Sequence, residues 1–323
     1  MFPASPIFLQ YTKGGTLYKL RIHFFKQIRR RINIYKRANV NAKDKSGNTP
    51  LYYASTFGWG GKRNKNDWDI ARSLVSNGAN VNMKSGSSDT PLHSAALYAP
   101  EDIVRLFIDK GANVNVKLAS PGWPRKRNSG PAPLHNACLR ADKNAEVVKL
   151  LIDAGADINA KCYNDQADGW TPLYFACLNE NTRAVEMLIA KRAKINPISD
   201  LGNTPMHCVT ITEIAQLLID NGANIHFRNK AGYSPLHNAV KGGHSDVAKL
   251  LIDKRAFVTT TNYQGTTLLH EAAVTNQKEM VELLIDEGVN INAKDRDGKT
   301  PAQVAEKAGH HDIADFIRNY NAK

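Results

Sequence analysis

The chain has 323 residues, 42% of them hydrophobic and 23% charged, with a mean hydropathy of −0.41. It is about twice the size of one ordinary domain and too polar for a membrane bundle, so two soluble domains or one elongated array are expected. The net charge of +13 is unevenly placed: no acid precedes Asp44, and residues 1–43 hold ten Lys and Arg, leaving +3 for the remaining 280, too little to argue for a nucleic-acid-binding body.

Residues 1–36 come first and stand apart. Leu17, Leu20, Phe24, Ile28, Ile32 and Tyr35 recur at steps of three and four, which suits one helix face, and Ile32 and Ile34 stand where Leu150 and Ile152 stand in a complete repeat. A degenerate capping helix is the preferred reading, while the alternation Lys19-Leu20-Arg21-Ile22-His23-Phe24 also permits a strand. The acid-free cluster Arg29-Arg30-Arg31 keeps three other readings open: a nuclear-import or nucleic-acid patch, a helix on an anionic membrane, and an organelle transit sequence.

From residue 37 to 323 two anchors alternate eight times. The first is Thr49-Pro50-Leu51, Thr90-Pro91-Leu92, Ala132-Pro133-Leu134, Thr171-Pro172-Leu173, Thr204-Pro205-Met206, Ser234-Pro235-Leu236, Thr267-Leu268-Leu269 and Thr300-Pro301-Ala302. A hydroxyl followed by proline and apolar residues opens a helix, because the hydroxyl accepts from an orphan N–H and proline at the first position has none to orphan. The second anchor centres on Ala38, Ala79, Ala112, Ala156, Ala193, Ala223, Ala256 and Val289, usually just after a glycine that follows an apolar helical run such as Val147-Val148-Lys149-Leu150-Leu151-Ile152. That glycine supplies the positive φ that stops a second helix, and Arg37, Arg192 and Arg255 replace it in three repeats. A further glycine two residues before most of these Thr or Ser residues marks a tight turn, as at Gly47, Gly202, Gly232, Gly265 and Gly298. The unit is helix, turn, helix and a protruding hairpin-like finger, so one solenoid is expected and not two domains.

Spacing locates the irregularities. Pro50 to Ala79 holds eight extra residues between two helices, around Trp59, and Ala112 to Pro133 lengthens one finger by nine, around Trp123. Both insertions are basic and are read as surface loops or as contact loops with Trp59 and Trp123 as anchors. Pro205 to Ala223 has lost three residues, nearly a helical turn, which leaves a notch near Val209-Thr210-Ile211-Thr212.

The chemistry-bearing residues mostly follow the repeat. His93, His135, His207, His237 and His270 take the fourth place of the first anchor, and His310-His311 has no third ligand spaced for a metal. Cys138 and Cys177 occupy small packing positions, and the four cysteines show no zinc or disulfide spacing, so reduced thiols and a reducing, intracellular setting, cytoplasmic by default, are expected. No phosphate-binding loop, dinucleotide fingerprint or zinc-protease motif is present. No catalytic residue and no cofactor is assigned. With repeats running to within a few residues of Lys323, a binding function is expected rather than an enzyme.

Thr90-Pro91-Leu92-His93-Ser94-Ala95, Ser234-Pro235-Leu236-His237-Asn238-Ala239, Gly243-His244 and Gly309-His310 resemble the ankyrin repeat family. The resemblance implies an all-α helix-turn-helix solenoid with hairpin-like fingers, anchor histidines that tie neighbouring turns together, and a monomeric scaffold or adaptor that binds another protein. It also implies contact positions on the fingers and at the ends of the first helices. On this sequence those positions include Tyr98, Arg140, Trp170, Leu201, Tyr233, Tyr263 and Arg296, the alternative being that some of the aromatics pack sideways against the next finger. Two further classes stay open: an adaptor or host-directed effector addressed to nucleus or membrane by residues 1–36, and an enzyme regulator.

Overall fold

A computed structural model describes residues 39–56, 65–86, 88–118, 130–140, 145–163 and 168–320. The readings made for residues 1–36, Trp59 and Trp123 lie outside these residues.

Every proline expected to open a helix does so, and Leu268 does the same without one. The first helices are α1 (Pro50–Thr56), α3 (Pro91–Tyr98), α5 (Pro133–Cys138), α7 (Pro172–Leu178), α10 (Pro235–Gly242), α12 (Leu268–Val274) and α14 (Pro301–Lys307), with a 3₁₀ turn, Pro205–Cys208, in the fifth unit. The second, outer helices are α2 (Lys65–Ser76), α4 (Glu101–Asp109), α6 (Glu146–Asp153), α8 (Thr182–Ala190), α9 (Thr212–Asp220), α11 (Ser245–Asp253), α13 (Lys278–Asp286) and α15 (His311–Tyr320). First helices pack on first helices and outer on outer along the chain, so the hydrophobic interior is one strip running through the whole stack. Leu92, Leu134, Leu173, Leu236 and Leu269, each directly after the helix-opening residue or one further on, are fully buried in it.

The shortened fifth unit shows how three deleted residues are absorbed. Its first helix shrinks to the single 3₁₀ turn, and the Thr210 hydroxyl donates to Glu180 Oε1 at 2.8 Å across the place a further helical turn would fill. Insertion is absorbed in the fingers: the four extra residues before Pro172 accompany a small antiparallel pair, β1 (Cys162–Tyr163) and β2 (Asp168–Trp170), with Cys162 opposite Trp170. The longest finger is closed at its base by Leu118 N–H to Pro131 O and Gly130 N–H to Leu118 O.

Adjacent units are laced together along the loops that follow the outer helices. Asn82 accepts from Asn113 N–H (2.7 Å) and donates to Gly111 O (2.8 Å), and Asn41, Asn115 and Asn196 make the same two bonds to the unit ahead. The rungs stop where the sequence changes to His226 and Thr259. His226 stacks instead on Phe257, which is 61% exposed. At the same level α11 and α13 pack less closely than the outer helices before them, and a cleft of about 600 Å³ opens, lined by Ile252, Phe257, Thr259 and Glu287.

Candidate partner-binding surface

The described fingertips end in tight turns made by their own sequence. In the turn at 229–233, Asn229 N–H donates to Tyr233 O (2.9 Å) and Gly232 N–H to Asn229 O (2.9 Å), while Asn229 Oδ1 accepts from Ala231 and Tyr233 N–H. Asp44, Asn262 and Asp295 repeat the arrangement, which is why Asp or Asn leads these turns. Gly232 has φ +83°, and a Cβ there would lie 2.7 Å from the amide nitrogen of Tyr263, so glycine lets successive tips touch. They touch through the backbone: Lys230 N–H to Leu201 O (3.0 Å), Tyr263 N–H to Ala231 O (3.1 Å) and Arg296 N–H to Gln264 O (3.0 Å). Four tips are thereby joined into one row.

Three of the anchor histidines tie a first helix to the finger that follows it. His135 Nδ1 accepts from Ala132 N–H at 3.1 Å, so its proton sits on Nε2, which donates to Ala160 O of the next finger at 2.9 Å. His207 and His270 do the same towards Tyr233 O and Lys299 O. At Thr90 and Thr204 the hydroxyl does not cap the helix as expected but donates to the histidine Nδ1, at 2.8 and 2.9 Å. Burial lowers the pKa of His93, His135, His207 and His237 to about 4, which keeps these rings neutral. The cysteines are free thiols: burial pushes Cys162 and Cys208 up to about 12 and raises Cys138 and Cys177 as well, so none is poised as a nucleophile.

The sequence-predicted contact residues divide into two groups. Leu201 is 60% and Tyr263 50% exposed on adjoining tips, and Arg296 is exposed on the last. The others serve the array. Trp170 stacks on Tyr174 with ring centroids 4.5 Å apart, and Tyr98 lies half-buried against the core. Tyr233 sets its ring edge on His237 and donates its hydroxyl to Glu271 Oε1 at 3.0 Å. Arg140 corrects the expectation of a surface contact. It is only 2% exposed because its Nη1 is drawn inward to the carbonyls of Ala96 and Ala99 at the end of α3. One contributor went unnoticed in the sequence: Arg228, whose guanidinium lies 5.3 Å from the Tyr263 ring centroid and donates through Nε to Gly232 O at 3.1 Å and through Nη2 to Thr261 O. Its only sequence signal is a cation directly before the turn-opening Asn229.

The tips therefore present a pre-organised, partly apolar and cationic row fit for a macromolecular surface. Among the described residues no group of three or more His, Cys, Asp or Glu is placed to hold a metal ion, and no helix is long and apolar enough to cross a membrane.

Comparison with known proteins agrees with this architecture. The family described as "Ankyrin repeats (3 copies)" matches residues 26–118, 61–162, 134–229, 209–295 and 259–323. The chain is 31% identical over 125 residues to "Probable 26S proteasome regulatory subunit p28" of Saccharomyces cerevisiae, covering 37% of this chain and 53% of that protein. It is 33% identical over 112 residues to "Neurogenic locus notch homolog protein 1" of Mus musculus, covering 34% of this chain and 4% of that protein. The chain thus spans about half of the yeast relative and a small part of the other. Among solved structures, the human ASB11 ankyrin repeat domain superposes with a TM-score of 0.60 at 26% identity, covering 71% of this chain and 98% of that domain.

Proposed function

The chain belongs to the ankyrin repeat family, whose repeats mediate protein–protein interaction, and from that premise we propose that it is a non-catalytic scaffold or adaptor that binds a protein through its fingertips and the neighbouring ends of its first helices. The observation that carries this reading is the row of hydrogen-bonded tips in which Leu201 and Tyr263 stay exposed although neither is needed to fill the core. Large side chains held in water by a rigid backbone lose little entropy on binding, which is the usual composition of an interface anchor. The array occupies residues 37–323, and the basic segment 1–36 is read as a degenerate cap on its first unit, with an address for nucleus or anionic membrane as the alternative.

The test is affinity capture from a cell lysate on the immobilised chain, beside a Leu201→Ser/Tyr263→Ala variant whose melting temperature is measured in parallel. Proteins retained by the parent and lost by the variant at unchanged melting are expected. Retention that ignores the two substitutions would refute the surface, and retention of nothing would refute the scaffold.

A further inference from the structure

The charge of the folded array is segregated by layer. The eight outer helices carry 17 acidic against 8 basic residues, a net of −9 in a chain whose total is +13. The ion pairs, too, belong to one layer. Between described residues every ion pair involves a side chain of an outer helix, as in Arg72–Asp69, Arg105–Glu101, Lys191–Asp153 and Lys278–Glu282. On the finger row Arg228, Lys230, Arg296 and Lys299 have no described carboxylate within ion-pair distance. The acids on the same four tips are Asp200, Asp295 and Asp297, and Asp295 Oδ1 is already taken by the amides of Asp297 and Lys299. Arg228 is held in place by two backbone carbonyls, with Tyr263 beneath it.

We propose that this row recognises an acidic segment of its partner, one that carries a large apolar residue among its carboxylates. The carboxylates meet Arg228, Lys230 and Arg296, and the apolar side chain lies on Leu201 and the exposed part of Tyr263. A fixed guanidinium over an aromatic ring is ready to take a carboxylate without first losing side-chain freedom, and the unpaired cations steer an acidic ligand while the acidic outer helices repel it. This deepens the scaffold reading and rests on it.

The experiment is selection of displayed random 12-residue peptides on the immobilised full-length chain, followed by affinity measurement of the enriched sequences. Expected are peptides in which Asp and Glu outnumber Lys and Arg around a Leu or aromatic residue. Their Kd should weaken at least tenfold in Lys230→Glu/Arg296→Glu at unchanged melting temperature, and should weaken as NaCl is raised from 50 to 300 mM. Arg228 is left intact because its hydrogen bonds hold the tip. Enriched sequences that are neutral or basic would overturn the acidic specificity while leaving the scaffold standing. Acidic sequences indifferent to the two substitutions would overturn the site, since they would be held elsewhere, for example by residues 1–43. Enrichment of nothing would remove the scaffold reading together with this one.

Discussion

At the residue scale the anchor histidine is the most informative side chain. Its pattern was readable in the sequence because it recurs at a fixed place. Its tautomer was not, because that depends on which carbonyl the next finger brings to Nε2. Four of these rings have a pKa near 4 in the folded chain against about 6.5 for a free histidine. Between those values the unfolded chain binds protons that the folded one refuses. The stability they support is therefore complete above pH 6.5 and is lost as pH falls towards 4, by about 1.4 kcal/mol per pH unit for each ring. Urea midpoints should fall steeply from pH 6.5 to 5. His135→Gln should flatten that slope by about one quarter and lower stability by about 1 kcal/mol at pH 7.5, since it forfeits the bond to Ala160 O. Glutamine is the natural substitute, because Gln303 accepts the Thr300 amide at this place in the last unit. Parallel pH curves for the two proteins would refute the titration account. Arg192 and Arg255 make the opposite case. They sit at φ +65° and +69°, where α2, α4, α6, α9 and α13 are followed by Gly78, Gly111, Gly155, Gly222 and Gly288. Arginine to glycine at either should stabilise the fold by about 1 kcal/mol, read as a higher urea midpoint.

At the scale of the element, the sequence announced where helices begin because proline and a hydroxyl act locally, and where fingers turn because Asp or Asn and glycine act locally too. It announced less about side chains whose position depends on a neighbouring unit. Tyr233 and Arg140 were placed in the correct part of the repeat, yet one is tied to Glu271 and the other is drawn beneath α3. Trp170 lies against Tyr174 and Phe175 for the same reason, since the aromatic step at 174–175 is a property of α7 and not of the finger. Glycines show the contrast in testable form. Gly222 and Gly232 have nearly the same positive φ, +85° and +83°, but only Gly232 lies against another tip. Gly222→Ala should cost about 1 kcal/mol, the left-handed penalty alone. Gly232→Ala should cost at least twice as much and also shift the amide resonances of Tyr263 and Lys230, because the tips must part. Equal costs would mean that the tips are not held together by that contact.

For the whole molecule, stability is approximately a sum of unit and interface terms, so it is set by the weakest seam rather than by an average. The repeat period revealed the stack, and nothing in the period revealed where its outer helices begin to draw apart. That follows from two departures in the same column of the sequence, His226 and Thr259 in place of asparagine. Thr259 is too short to reach the backbone of Gly288 and Asn290 as Asn82 reaches Gly111 and Asn113, and there α11 and α13 part around the cleft. Each missing rung forgoes about 0.5–1.5 kcal/mol per hydrogen bond. Hydrogen exchange should therefore find α13, α14 and α15 opening more readily than α3, α4 and α5, with the boundary between α11 and α13. Thr259→Asn should slow exchange in α13 and α15 at least threefold while leaving α4 unaffected, because a restored rung acts only through its own interface. The exposed Phe257 is spared by this substitution, so a change in the aromatic stack on His226 does not enter. Uniform protection along the array, or a Thr259→Asn variant that slows exchange everywhere alike, would show that the stack opens as one body, and the seam would have no energetic meaning.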